Sequence, residues 1–367
     1  MPADPRTALT GSQGSLPRAR SGIVCGYVLR LIREHLDLTQ EQLAQHLAVS
    51  LDTIAAWETG RRPLTAIPVG QMLMHRHVLL NLGATPNLLA ALDRAMEADV
   101  LLASALDEQP TAASPLGAWV MQRDLADMLT WPLHGRAPEA VTVPAARPRR
   151  GPVAAGPSLG SQERTRFFTS VRATVEQARQ PGQFLLRRQA LYLAGYDRNP
   201  DTADWVAEQE RETKPGDWLQ RWLTARSVTS VGARRGDHDR VASFVRTAVA
   251  DDDRSEAANL NYWAYWVGET STIHLDDAFI ATGQPGDWTG RRLLQHLVDR
   301  LEPRFGYREL YIHTLWALIA ARPQLLQSTD RTVLRERAEI LLDSGVISAR
   351  AGRELDGVRY ALRLAQG

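Results

Sequence analysis

Apolar residues recur along most of the chain at the three- and four-residue spacing of amphipathic helices, and rarely at the alternate spacing of strands. Near the N-terminus Val24, Val28, Leu31 and Ile32 form one stripe, Leu43, Ala44 and Leu47 a second, and Ile54 and Trp57 a third. Helical spacing continues through Met72 to Leu82, Leu88 to Leu106 and Leu116 to Leu129, punctuated by prolines 63, 68, 86, 110 and 115. From Arg164 to Leu364 helix follows helix. The pattern predicts an all-α fold.

Two stretches break the pattern. Residues 1–21 are rich in Pro, Gly, Ser and Thr and read as a flexible arm. Residues 132–161 shift to Pro, Ala, Gly and Arg, with no run able to bury a face, and read as a linker. The expected organisation is therefore the arm, a helical module over 22–131 with its core at 22–82, the linker, and a larger helical domain over 162–367. A Pro-Gly turn followed by an aromatic recurs at Pro181 to Phe184, Pro215 to Trp218 and Pro285 to Trp288. The first offset, 34 residues, resembles the unit of helix-hairpin repeats such as tetratricopeptide arrays, but the full repeat pattern is absent. Pro-Gly is also a common turn between helices, and both readings stand.

Composition narrows the class. A chain of 367 residues with 44% hydrophobic and 23% charged residues has material for two or three globular units. Cys25 is the single cysteine and residues 1–20 hold no apolar core of signal-peptide length, which points to the cytoplasm. The apolar run Leu310 to Ala321 is too short to cross a membrane and carries His313. Net charge is only +1. Its distribution is uneven: Arg6, Arg18 and Arg20 lie in the arm and Arg147, Arg149 and Arg150 in the linker, while acids gather at Asp201 to Glu212 and Asp251 to Asp253.

The informative local chemistry lies between residues 22 and 62. Thr39, Gln40, Glu41 and Gln42 make a capping box, in which the threonine oxygen accepts an early backbone N–H and Gln42 reaches back to the cap. The helix it starts buries Leu43, Ala44 and Leu47. Ser50 then caps another helix, which buries Ile54 and Trp57 and stops at Gly60. Two short helices joined so tightly leave the later one exposed along one side, in the shape that enters a major groove.

With its Leu38-Thr39-Gln40-x-x-Leu43-Ala44 opening, Val49-Ser50 turn and Trp57-Glu58-Thr59-Gly60 ending, the segment resembles the Cro/lambda-repressor (Xre-type) helix-turn-helix family. The resemblance implies a transcriptional regulator of double-stranded DNA. It would place Gln40, Thr59, Arg61 and Arg62 on phosphates, where contacts set register and affinity. Ser50, Leu51, Asp52, Thr53 and Ala56 would face the bases. That set lacks the Arg, Gln or Asn of bidentate base contacts and leaves Asp52 for cytosine and Leu51 and Ala56 for thymine methyls. A carboxylate in a first helical turn is equally explained by the helix dipole. Arg33 and Glu58 stand where family members pair the first helix with the end of the third. Ala48 replaces the usual turn glycine, at a cost of about 1–2 kcal/mol if left-handed. Residues 22–66 are slightly acidic, so dimerisation and the basic arm are expected to supply affinity.

Other constellations carry less. His274 to Asp277 and Asp237 to Asp239 offer no second histidine at helical spacing, so neither metal nor cofactor is expected. His75 and His77 face different directions on a helix and read as surface histidines. Phosphate loops and Gly-x-Ser-x-Gly are missing, and no enzyme is expected. Seven of the ten tryptophans (205, 218, 222, 263, 266, 288, 316) lie beyond residue 162, and the densest aromatic cluster is Asn261 to Glu269. Helical spacing makes it core; the sharper reading has Tyr262, Trp263 and Trp266 lining an effector pocket. The expected protein is a homodimeric regulator whose C-terminal domain dimerises, senses a small molecule or peptide, or contacts a partner. Its rivals are a peptide-responsive helical-repeat regulator and a DNA-associated enzyme.

Overall fold

The computed structural model describes residues 22–107, 114–141, 155–180, 182–212, 217–250, 252–282, 284–327 and 331–365. The arm with its three arginines, Arg147 to Arg150, Pro110, Pro181, Pro215 to Gly216 and Asp251 fall outside them. Among the described residues every regular element is helical, as expected. None of these helices is long and apolar enough to cross a membrane.

The first group is α1 (Ile23–His35), α2 (Gln40–His46), α3 (Leu51–Glu58), α4 (Val69–Asn81), α5 (Pro86–Leu106) and α6 (Arg123–His134). The second is α7 (Ser161–Gln177), α8 (Phe184–Ala194), α9 (Thr202–Glu212), α10 (Trp218–Arg234) and α11 (His238–Phe244). The third is α12 (Asp253–Trp266), α13 (Arg291–Asp299), α14 (Arg308–Ala321), α15 (Arg331–Asp343) and α16 (Ala349–Leu364).

Capping explains where several of these helices start. Thr85, Asp217, Asp237, Asp252 and Ser348 each accept a backbone N–H in the first turn of the helix that follows. Helix α1 has no such residue beside it, because Gly22 stands at its N-cap. Asp99, on α5, does the work instead: its Oδ1 accepts the Val24 N–H at 3.1 Å and its Oδ2 the Cys25 N–H at 2.8 Å. Burial pushes the Asp99 carboxyl up to about 6. Two otherwise orphaned donors are satisfied across the α1–α5 contact, and α1 is locked in register on α5.

One hydrophobic core runs from Ile23 through α5, α6, α7 and α8 to Val231, and a second from Trp222 to Leu362. The first core therefore spans both sides of the 132–161 segment. Both ends of that segment are built into it. Helix α6 carries on through Pro132 to His134 and stops at left-handed Gly135, Leu159 N–H donates to Pro132 C=O at 3.2 Å, and Leu159 is buried. Trp131 lies between them, edge-on to Tyr27 of α1 with centroids 5.2 Å apart. A Cβ on Gly156 would come within 2.7 Å of the Trp131 indole nitrogen, so glycine is needed for that approach.

The aromatics that follow the three Pro-Gly pairs are not equivalently placed. Phe184 and Trp218 open α8 and α10, whereas Trp288 precedes α13 by three residues and donates its indole N–H to Asn261 Oδ1 at 3.1 Å. The polar clusters set aside above have structural partners. Arg188 and Asp277 form a buried bidentate pair at 2.9 and 2.8 Å, and Asp237 caps α11. His75 is not a surface residue: it is buried on the inner side of α4, with its ring 5.7 Å from that of Trp57.

Candidate nucleic-acid interface

Three local features set α3 in place. The capping box of α2 is present, with Gln42 N–H on Thr39 Oγ1 at 3.1 Å and Thr39 N–H on Gln42 Oε1 at 2.8 Å. Ser50 Oγ accepts the Thr53 N–H at 3.1 Å and starts α3. The turn between them passes through Ala48 at φ 53°, in the left-handed region. Behind α3, α1 approaches so closely that a Cβ on Gly26 would stand 2.1 Å from Trp57 O. Leu43, Leu47, Ile54 and Trp57 are all buried in the angle between the helices.

A polar clamp reinforces this packing. Arg33 Nε and Nη2 reach Glu58 Oε1 and Oε2 at 2.6 and 3.0 Å, and Arg33 Nη1 donates to Leu38 O at 2.9 Å. This is the α1–α3 pairing that the family resemblance implied. The Glu58 side chain is only 3% exposed, so removing either partner would strand a buried charge at a cost of about 3–5 kcal/mol. Gln40 joins the clamp, its Nε2 donating to Glu58 Oε2 at 2.7 Å.

The outer side of α3 is open. Leu51 is 50% exposed, and Ser50, Asp52 and Thr59 are exposed beside it. Thr53 is half-buried and shares a 2.8 Å hydrogen bond with Ser50 between their hydroxyls. Ala56 has no exposure at all, which corrects its expected place among the base-facing residues. Its carbonyl accepts the Arg62 N–H at 3.0 Å, on the inner side of the helix end. The small residue on the open side is half-buried Ala55, one turn on from Leu51 and Asp52. Helical spacing from Leu51 would have found it.

The four residues assigned to phosphates differ in what they already hold. Gln40 is engaged with Glu58. The Thr59 hydroxyl donates to Ala55 O at 2.7 Å, and its N–H bonds the same oxygen at 3.1 Å. Arg61 Nη2 pairs with Asp52 Oδ1 at 2.6 Å, both side chains being about two-thirds exposed (62% and 68%). Such a surface pair is worth about 0–1 kcal/mol and gives way readily to a phosphate. Arg62 is exposed and makes no side-chain bond among the described residues.

The aromatic cluster of α12 lies far from this face along the chain. Trp263 is buried, while Tyr262 and Trp266 are half-buried and stacked, with centroids 6.4 Å apart and planes at 14°. All three line a cleft of about 1190 Å³ walled by α6, α8, α10, α12 and the 304–311 stretch. Among the described residues no three potential metal ligands come together.

Residues 26–106 match a family described as Helix-turn-helix domain, so α1 to α5 form a Cro/C1-type helix-turn-helix domain. The match runs 44 residues beyond the motif that ends at Arg62, to the last residue of α5. No curated protein and no solved structure matches the chain.

Proposed function

We propose that the protein is a cytoplasmic, sequence-specific transcription regulator that sets the outer side of α3 into the major groove of double-stranded DNA. The observation that carries this reading is the open face of Leu51, Asp52, Ala55 and Thr59, held from behind by Gly26, Trp57 and the Arg33–Glu58 clamp, with Arg62 free beside it. In this reading Ser50, Leu51, Asp52 and Thr53 meet base edges, Gln40, Thr59 and Arg61 turn from their present partners to phosphates, and Arg62 joins them there.

The same reading makes the protein a homodimer. Helix α4 presents Val69, Leu73, Met74 and Leu80 to solvent at 77%, 58%, 63% and 45% exposure. An apolar face of this kind on the DNA-binding unit itself suits contact with a second copy. Half-sites would then lie about 34 Å apart or a multiple of it. The C-terminal helices would serve as the sensing unit, with the α12 cleft as its effector site.

Genomic binding of the intact protein, mapped beside a Gln40→Ala, Arg61→Ala, Arg62→Ala variant, tests the central claim. Discrete sites lost in the variant are expected. An intact protein that ignores duplexes of every sequence at low salt would overturn it.

A further inference from the structure

The cleft beside α12 is lined by eight arginines and three carboxylates. Of those carboxylates, Asp197 is committed to Arg172 at 2.8 Å, and Glu139 lies 3.5 Å from Arg123. The third, Asp127, is half-buried and makes no ion pair among the described residues. The wall is therefore strongly positive.

Two of the arginines are held in an unusual way. Arg226 of α10 is 3% exposed, and its guanidinium lies 4.9, 5.0 and 5.8 Å from the ring centroids of Tyr262, Trp263 and Tyr307. Its Nη1 donates to Ser230 Oγ at 2.5 Å, its Nε has no partner, and no acid stands within ion-pair distance among the described residues. Arg234, two turns on, repeats the arrangement. It lies 4.5 and 4.1 Å from the rings of Tyr192 and Tyr196, donates from Nη2 to Tyr192 O at 2.9 Å, and leaves Nε unpartnered. Taking a guanidinium out of water costs several kcal/mol, and a ring face returns about 2 kcal/mol at best. Neutral rings do not cancel the charge, so both groups project it into the cleft.

A second pair points the same way. Arg123 Nη1 and Arg300 Nη1 lie 3.0 and 3.2 Å from one atom, His296 Nδ1. That nitrogen can accept from them only in a neutral imidazole. The buried His296 ring thus orients two guanidinium groups without neutralising either. Four arginines from α6, α10 and the end of α13 converge where the sequence shows no cluster.

Guanidinium forks match the oxygens of phosphate, and tyrosine and tryptophan faces match a planar ring. A cleft of about 1190 Å³ has room for both parts in one molecule. We propose that this cleft binds a free nucleoside phosphate, its phosphates held by Arg226, Arg234 and Arg300 and its base against Tyr262 and Trp266. This rests on the sensing role given to the C-terminal helices only for its regulatory consequence; the binding itself is independent of DNA.

The test is calorimetric titration of the full-length protein, without DNA, by the ribonucleoside triphosphates, the matching nucleosides and inorganic triphosphate. Saturable binding of at least one nucleotide is expected, with the nucleoside and inorganic triphosphate each weaker by about tenfold or more. Arg226→Ala should weaken the nucleotide by a similar factor. Because Arg226 is buried, Arg300→Ala, nearer the surface, is the companion variant, with circular dichroism checking its fold. Tyr262→Ala should weaken the nucleotide while leaving inorganic triphosphate unchanged. No saturable heat from any nucleotide at millimolar concentration overturns the proposal, as does binding that ignores Arg226 and Arg300 alike. Inorganic triphosphate matching the nucleotide would reduce the cleft to an anion site. A single-stranded oligonucleotide that outcompetes the nucleotide would make it a strand channel. Either result also overturns the proposal, and none of these outcomes touches duplex reading by α3.

Discussion

Arg61 Nη2 stands 2.6 Å from Asp52 Oδ1, so a cation assigned to phosphate and a carboxylate assigned to the bases hold each other across the open side of α3. The pair offsets charge on the face that the proposed reading sets against a polyanion. Asp52→Ala should therefore release Arg61 and raise affinity for duplexes of any sequence. The salt dependence should steepen by about one counterion. Fluorescence anisotropy across a salt series reads both. A loss confined to one operator would instead make Asp52 a base reader.

Ala48 sits at φ 53° in the turn between α2 and α3. An L-residue pays about 1–2 kcal/mol there, while glycine loses about 0.5–1 kcal/mol in unfolded-state entropy. Ala48→Gly should thus stabilise the protein by up to about 1 kcal/mol, seen as a higher urea midpoint with an unchanged slope. An equal or lower midpoint would show that the turn carries no strain.

The Asp99 cap makes stability sensitive to pH. Its carboxyl is raised by burial to about 6, above its unfolded range. The folded state therefore holds the proton more tightly, so this contribution is complete at low pH and is lost as pH rises through about 6. Asp99→Asn removes the titration but keeps an acceptor for Cys25 N–H. Between pH 4 and pH 7.5 wild type should lose stability relative to the variant, by on the order of 2–3 kcal/mol. A pH-independent difference would contradict the assignment.

Leu73, 58% exposed, stands among the apolar residues of α4. Leu73→Asp should convert the proposed dimer to a monomer in sedimentation velocity without lowering helix content. Binding to paired half-sites should weaken far more than binding to one. A wild-type monomer at micromolar concentration would remove α4 as the interface.

The sequence made local things legible and distant things obscure. Capping by Thr39 and Ser50, the stop at Gly60 and the stripes of α1 to α3 depend on residues a few places apart, and they were readable from spacing alone. Positions carried over from a family resemblance put Ala56 among the base-facing residues, whereas counting from Leu51 along the helix puts Ala55 there. The burial of His75 depends on Trp57, on another helix, which local spacing does not show. Asp99 reaches back 75 residues to cap α1, and no local signal marks it. The arginines of the cleft are scattered from 123 to 304, so only folding assembles them. Tyr262, Trp263 and Trp266 were visible because they happen to be neighbours. Composition gave the 132–161 segment the look of a spacer, yet Pro132, Leu133 and Leu159 are buried at its ends.

The Trp131 indole, pressed between Tyr27 and Gly156, gives the helix-turn-helix domain a neighbour on α6. Three residues along the same helix, His134 stacks on Tyr196 in the cleft wall, with centroids 5.6 Å apart. A fragment ending at residue 106 would keep all of α3 and still bare the Tyr27 ring that Trp131 covers. Through α6 the helix-turn-helix domain and the cleft share one helix, so the packing of one bears on the other.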